Sequence, residues 1–106
     1  MLEETEDLII ARREKKKAAR KKRKLLCQEI VKELLQKSSC KDCKTNDWEV
    51  LEFDHVIPET KYKSITDILK YGSITLLQRE IDKCDIVCAN CHRKRTIKMF
   101  NHWRNK

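Results

Sequence analysis

A small α+β domain entered through one long basic helix is the fold class that the 106-residue sequence predicts. Three observations carry that prediction. From Asp7 to Lys37 there is neither glycine nor proline and most residues are strong helix formers, so the span reads as a single helix. Beyond Ser38-Ser39 the pattern changes to a strand signal followed by short, capped helical segments. Six cysteines stand in a chain that is 40% charged and only 6% aromatic, so the core is thin and the domain needs a staple. The expected division is 1–37 as a basic helical extension and 38–106 as a cysteine-stapled domain.

Within the helix, Arg12 to Lys24 holds ten Lys or Arg in thirteen positions with one Glu. Leu26, Ile30 and Leu34 recur at i, i+4, i+8 beside Val31 and Leu35, a stripe that can dock the second half on the rest of the domain. The first half has almost nothing to bury, so it is either a solvated face or a surface laid along a partner. After the segment "CKDCKTND", Trp48 to Val56 alternates apolar, aromatic and β-branched residues as a strand does, and Pro58 ends it. "SITDILKYG" reads as a helix with Ser64 or Thr66 near its start and Gly72 as its stop. "SITLLQREIDKC" reads as another, capped by Ser73 or Thr75, with Leu76, Leu77 and Ile81 on one face. "DIV" is a strand stub leading into Cys88, and from Cys91 onward Ile97, Phe100 and Trp103 fall at helical spacing.

The net charge of +8 favours a polyanionic partner, nucleic acid foremost. No apolar stretch approaches the roughly 20 residues of a membrane span, which predicts a soluble protein with no membrane partner. "MLEETEDLII" is acidic where a signal peptide is basic, so an intracellular compartment with reduced thiols is expected, and the cysteines read as metal ligands rather than disulfides. Cys40-x2-Cys43 and Cys88-x2-Cys91 are two knuckles 44 residues apart, the arrangement that gives a tetrahedral zinc four thiolates in two pairs. Zinc binding in small domains is worth roughly 10–16 kcal/mol, more than a core of this size leaves over, so the metal and the fold should be coupled. Cys27 and Cys84 are left as small buried hydrophobes.

"CANCHRKRT" also carries the C-x-x-C-H spelling of covalent haem attachment, but that chemistry requires export and would strand the first knuckle without a partner. With the four cysteines on zinc, His92 is free at the start of a helix. His102 lies ten residues on, about 80° around and some 15 Å along a helix, so it cannot share a ligand sphere with His92 and reads as a surface residue. His55 follows Asp54 in the strand signal. Alternation sends such neighbours to opposite faces, so both reach one site only where the strand ends or twists. Taken alone, Asp-His reads more readily as a structural hydrogen-bonded pair than as a site.

Together, a knuckle, a strand carrying "LEFDHV", the segments "SITDIL" and "LLQREIDKC", and a helix opened by "VCANCHRKRT" resemble the zinc-containing HNH endonucleases of the ββα-metal (His-Me finger) fold, closest to small phage and bacterial types. The resemblance covers Ser39 to about Thr96. It implies His55 as the general base that activates water, Asp54 and His92 as ligands of a catalytic Mg2+ or Mn2+, and a structural zinc on Cys40, Cys43, Cys88 and Cys91. It also implies double-stranded DNA as the partner, nicking or double-strand cleavage leaving 5′-phosphate and 3′-hydroxyl ends, and the cytoplasm of a bacterial or phage-infected cell. The middle letter departs from the pattern: where many relatives place an asparagine ahead of the second knuckle this chain reads "DKCDIV", and the nearest asparagine is Asn90. DNA contacts are expected from Arg93, Lys94 and Arg95 beside the site and from Arg12, Arg13, Lys16, Arg20 and Arg23 on the helix, about half of whose basic residues can face one duplex. The rival expectation is a zinc-finger nucleic-acid-binding protein without catalysis, for which the Asp54, His55 and His92 set would have no use.

Overall fold

The computed structural model describes residues 5–100. Helix α1 runs from Glu6 to Gln36, opened by Thr5, whose hydroxyl accepts the amide of Leu8 at 3.3 Å. At 31 residues it is about 46 Å long. Its side chains from Ile10 to Arg23 are exposed, so the basic half projects from the domain and the molecule measures 71 × 28 × 20 Å. The docked half buries Cys27 and Leu35 with Ile30 and Val31 beside them, whereas Leu26 is half exposed. The docking stripe is therefore turned slightly from the expected one and centres on Cys27, a side chain small enough to let the helix approach its neighbours closely.

The expected strand over Trp48 to Val56 is shorter in the structure. Trp48–Val50 form a single 3-10 turn and β1 spans Leu51–His55. The reason lies in its partner: β2, Cys84–Cys88, pairs antiparallel with β1 from Leu51↔Cys88 to His55↔Cys84 and then turns into a helix, leaving nothing for residues 48–50 to pair with. The stub expected at "DIV" is thus a full partner strand. Between the strands lie α2, Ile65–Tyr71, capped by the Ser64 hydroxyl and stopped by Gly72, and α3, Ile74–Ile81, capped by Ser73. Gly72 is required where it stands, because its φ of 69° is left-handed and a Cβ there would come within 3.0 Å of the Lys24 backbone nitrogen. Helix α4, Ala89–Met99, follows β2 directly, with the Cys88 sulfur as its cap.

The described residues thus form an α+β fold of four α-helices and one two-stranded antiparallel sheet. One core cluster joins Leu35, Leu51 and Val87 to Cys40, Cys88 and Cys91; the other joins Cys27, Ile65, Ile68 and Leu77. Val31 and Phe53 touch both and tie the cysteine end to the helical end. His102 and Trp103 lie outside the described residues. No helix among the described residues is long and apolar enough to cross a membrane.

Candidate functional site: a four-cysteine cluster and a histidine cleft

The first knuckle is shaped by backbone hydrogen bonds: the Cys40 amide donates to the Thr45 carbonyl at 2.8 Å, the Lys44 amide to the Cys40 carbonyl at 2.9 Å, and Lys44 takes a left-handed φ of 69° to close the turn. The second knuckle is the junction of β2 with α4. In each, the amide of the second cysteine points at the sulfur of the first, at 3.4 Å. The Lys41 amide donates to the Ile86 carbonyl at 2.9 Å and lays one knuckle against the other. All four sulfurs lie within 4.8 Å of one another.

This donor set fits a tetrahedral cation. A zinc with sulfurs at about 2.3 Å has sulfur–sulfur edges of about 3.8 Å, and the Cys43 and Cys88 sulfurs stand 3.7 Å apart. Burial works against a thiolate at Cys40, but the amides of Cys43, Cys88 and Asp42 outweigh it and hold its pKa below the ordinary thiol value. The Cys91 thiol is driven upward instead, by its hydrogen bond with the Cys88 sulfur and by burial. So crowded a set cannot ionise fully without a cation at its centre, and the four cysteines could hold a metal ion such as zinc. The other two cysteines do not join them. Cys27 is fully buried in the helical core, and the Cys84 thiol donates to the Glu80 carbonyl at 3.2 Å, its pKa pushed up to about 11 by burial and by the neighbouring Glu80 and Asp54 charges.

The strand alternation separates Asp54 and His55 at first. Glu52 and Asp54 turn towards α4, where the Nδ1 of His92 lies 2.6 Å from a Glu52 oxygen and its Nε2 lies 3.3 Å from Asp54 Oδ1. His55 turns towards α3, where its Nε2 meets Glu80 Oε2 at 2.9 Å. But β1 ends at His55, so all three residues border one cleft of about 170 Å3, whose walls include Phe53, Lys61 and Phe100. The condition for a shared site, a strand that ends there, is met. Both nitrogens of His92 face carboxylates. Asp54 Oδ1 and His92 Nε2 thus stand side by side at 3.3 Å, a carboxylate and an imidazole of the donor types that divalent ions take.

Arg95 departs from its expected role. Its Nε and Nη2 grip both oxygens of Asp42 at 2.7 Å, while Nη1 bridges Asp54 at 3.0 Å and Asp85 at 2.9 Å. Asp54 and Asp85 are directly opposed in the sheet, where two like charges repel, and the guanidinium resolves the conflict. Its pKa is raised by these carboxylates and those of Asp42 and Asp85 are lowered, so this side chain is committed to the protein rather than to phosphate. Arg93 and Lys94 are exposed on α4, as are Arg12, Arg13, Lys16, Arg20 and Arg23 on α1. Asn90 is exposed in the first turn of α4, and the Thr96 hydroxyl donates back to the His92 carbonyl at 3.1 Å.

Four acidic residues escaped sequence reasoning. Glu52 was legible as the residue two before Asp54, on its face of the strand. Glu80 left a trace too, a carboxylate three residues after Leu77 and beside Ile81 on the apolar face of α3, where it is 2% exposed. Asp42 and Asp85 gave no signal, since a knuckle aspartate and a strand aspartate are ordinary surface residues until Arg95 gathers them. No family model, no curated protein and no solved structure matches this chain.

Proposed function

We propose that the chain is a metal-dependent HNH endonuclease that hydrolyses phosphodiester bonds in double-stranded DNA. The observation that carries the reading is the convergence of Asp54, His55 and His92 on one cleft, separate from the four cysteines that serve the fold. The antiparallel pair β1 and β2 running into α4, with the histidines at the end of the first strand and in the first turn of the helix, supports the reading, which calls for two strands and a helix around the metal.

Zinc on Cys40, Cys43, Cys88 and Cys91 would be structural, since these residues join the loop after α1 to the β2–α4 junction and a cation among them would hold β1 against α4. A Mg2+ or Mn2+ held by Asp54 and His92 would supply positive charge for the phosphate in the transition state and for the departing 3′ oxygen. Glu52 holds the Nδ1 of His92, which leaves Nε2 for that role. His55 takes the proton from the attacking water, a task suited to an imidazole near neutral pH. Arg95 keeps Asp54 aimed at the site by holding its other oxygen. Arg93, Lys94 and the basic half of α1 bind phosphates away from the scissile bond, fixing the duplex without reading its bases.

The test is incubation of supercoiled plasmid with the zinc-loaded protein, its Asp54→Ala variant and its His92→Ala variant. The reading predicts divalent-dependent cleavage by the parent alone, with one zinc retained in all three. Cleavage by the variants at the parental rate contradicts it, and loss of zinc from His92→Ala would move that histidine to the cysteine site.

A further inference from the structure

A fully desolvated carboxylate is rare unless it serves something, and Glu80 is such a group: it sits on α3 at 2% exposure beside a histidine whose own side chain is 8% exposed. It is saturated with donors. Oε2 receives the Tyr62 amide at 3.3 Å and faces His55 Nε2 at 2.9 Å, while Oε1 receives the Lys83 ammonium. Lys83 also donates to the Thr60 carbonyl at 2.9 Å, and the Val56 amide donates to the Lys83 carbonyl at 3.0 Å. The loop from Val56 to Tyr62, which leaves the end of β1, is therefore pinned to the end of α3 by this one carboxylate and its lysine.

We propose that Glu80 is the positioning residue of the histidine cleft, holding His55 with its proton on Nε2 and its Nδ1 lone pair directed at the cleft. This rests on the reading of His55 as the base. The reasoning is chemical. A carboxylate oxygen that already accepts an amide approaches an imidazole nitrogen to 2.9 Å only if that nitrogen carries a proton. Burial alone would raise the pKa of Glu80, yet its bonds from Lys83, His55 and the Tyr62 amide bring it down to about 2, so it is an acceptor throughout the neutral range. No other protein group among the described residues bonds to the His55 ring. In the neutral ring Nδ1 is then the lone-pair nitrogen, and it belongs to the residue that lines the cleft with Asp54 and His92. The same carboxylate fixes the ring and the loop after it.

Two measurements on the zinc-loaded protein test the proposal. Long-range 15N–1H NMR of the imidazole reports the tautomer without any need for activity. The expected spectrum shows His55 with a slowly exchanging Nε2 proton and an unprotonated Nδ1 in the parent, and mixed tautomers in Glu80→Leu, which keeps volume and removes the acceptor. An Nδ1-protonated His55 in the parent overturns the proposal, and that result needs no variant to fold. Single-turnover cleavage of a duplex is expected to slow 10- to 100-fold in Glu80→Leu with DNA affinity within about 2-fold, the effect of losing an outer partner that orients a reacting group. A parental rate in the folded variant also overturns it. If the parent fails to cleave any DNA, the nuclease reading falls while the tautomer still decides whether Glu80 positions His55.

Discussion

Neutralising one face of the basic helix tests how the arm engages a duplex. On a helix at 100° per residue, Arg12, Arg13, Lys16, Arg20 and Arg23 fall within one arc of about 100°, and Lys15, Lys17, Lys21 and Lys22 fall outside it. Counted from the same origin, Cys27, Ile30 and Val31 occupy that arc too, and these are the side chains α1 lays on the domain. The five-residue face therefore points to the side of the helix where the domain sits, and a duplex lying on it also lies beside the domain. If each of the five neutralises one phosphate at about 0.9 units of slope, their replacement by glutamine should flatten the dependence of log K on log salt by about 4.5 units. Between 50 and 200 mM salt that slope amounts to roughly 500-fold in affinity. The assay is a salt titration of duplex affinity by fluorescence anisotropy in a His55→Ala background, so that no cleavage intervenes. The opposite-face quadruple variant, Lys15, Lys17, Lys21 and Lys22 to glutamine, should change the slope by less than about 2 units. Equal flattening by the two variants would refute the facial argument, and unchanged slopes in both would remove the arm from DNA binding.

The cysteine cluster predicts one zinc per chain, and either strong chelation or Cys88→Ser should abolish the cooperative thermal transition, because roughly 10 kcal/mol of binding is folding energy here; elemental analysis and calorimetry check it. Arg95→Leu leaves Asp54 and Asp85 opposed without the cation between them, only Lys41 remaining on Asp85, so urea denaturation of the zinc-loaded protein should show a loss of about 1–3 kcal/mol. Gly72→Ala forces a side chain into a left-handed position against the Lys24 backbone, and should cost about 1–2 kcal/mol or more in the same assay; an unchanged midpoint would mean that α1 and α2 do not pack as closely as described.

Much of the fold was legible because it is written in local chemistry. Ser64, Gly72 and Ser73 are caps whose meaning does not depend on anything distant, and the two C-x2-C pairs announce their own partnership through spacing. What stayed hidden depends on contacts across the chain. The strand at Trp48 is cut short by the length of β2, which no residue near Trp48 encodes. Arg95 looked like a phosphate ligand because its neighbours Arg93 and Lys94 are basic; only the sheet register, which sets Asp54 against Asp85, supplies the carboxylates that claim it. The pairing of His55 with Glu80 joins residues 25 apart through a helix whose charged member looked like an exception to its apolar face.

The central claim is that His55 acts on the chemical step in a cleft shared with Asp54 and His92. It is tested most directly by single-turnover cleavage of a supercoiled plasmid by zinc-loaded protein and by His55→Ala, each with Mg2+, with Mn2+ and with neither. The account predicts cleavage by the parent only when a divalent ion is added, and a fall of at least 100-fold in His55→Ala with plasmid affinity within about 2-fold. A His55→Ala protein that cleaves at the parental rate, or a parent that binds plasmid and leaves it intact with either ion, would contradict it.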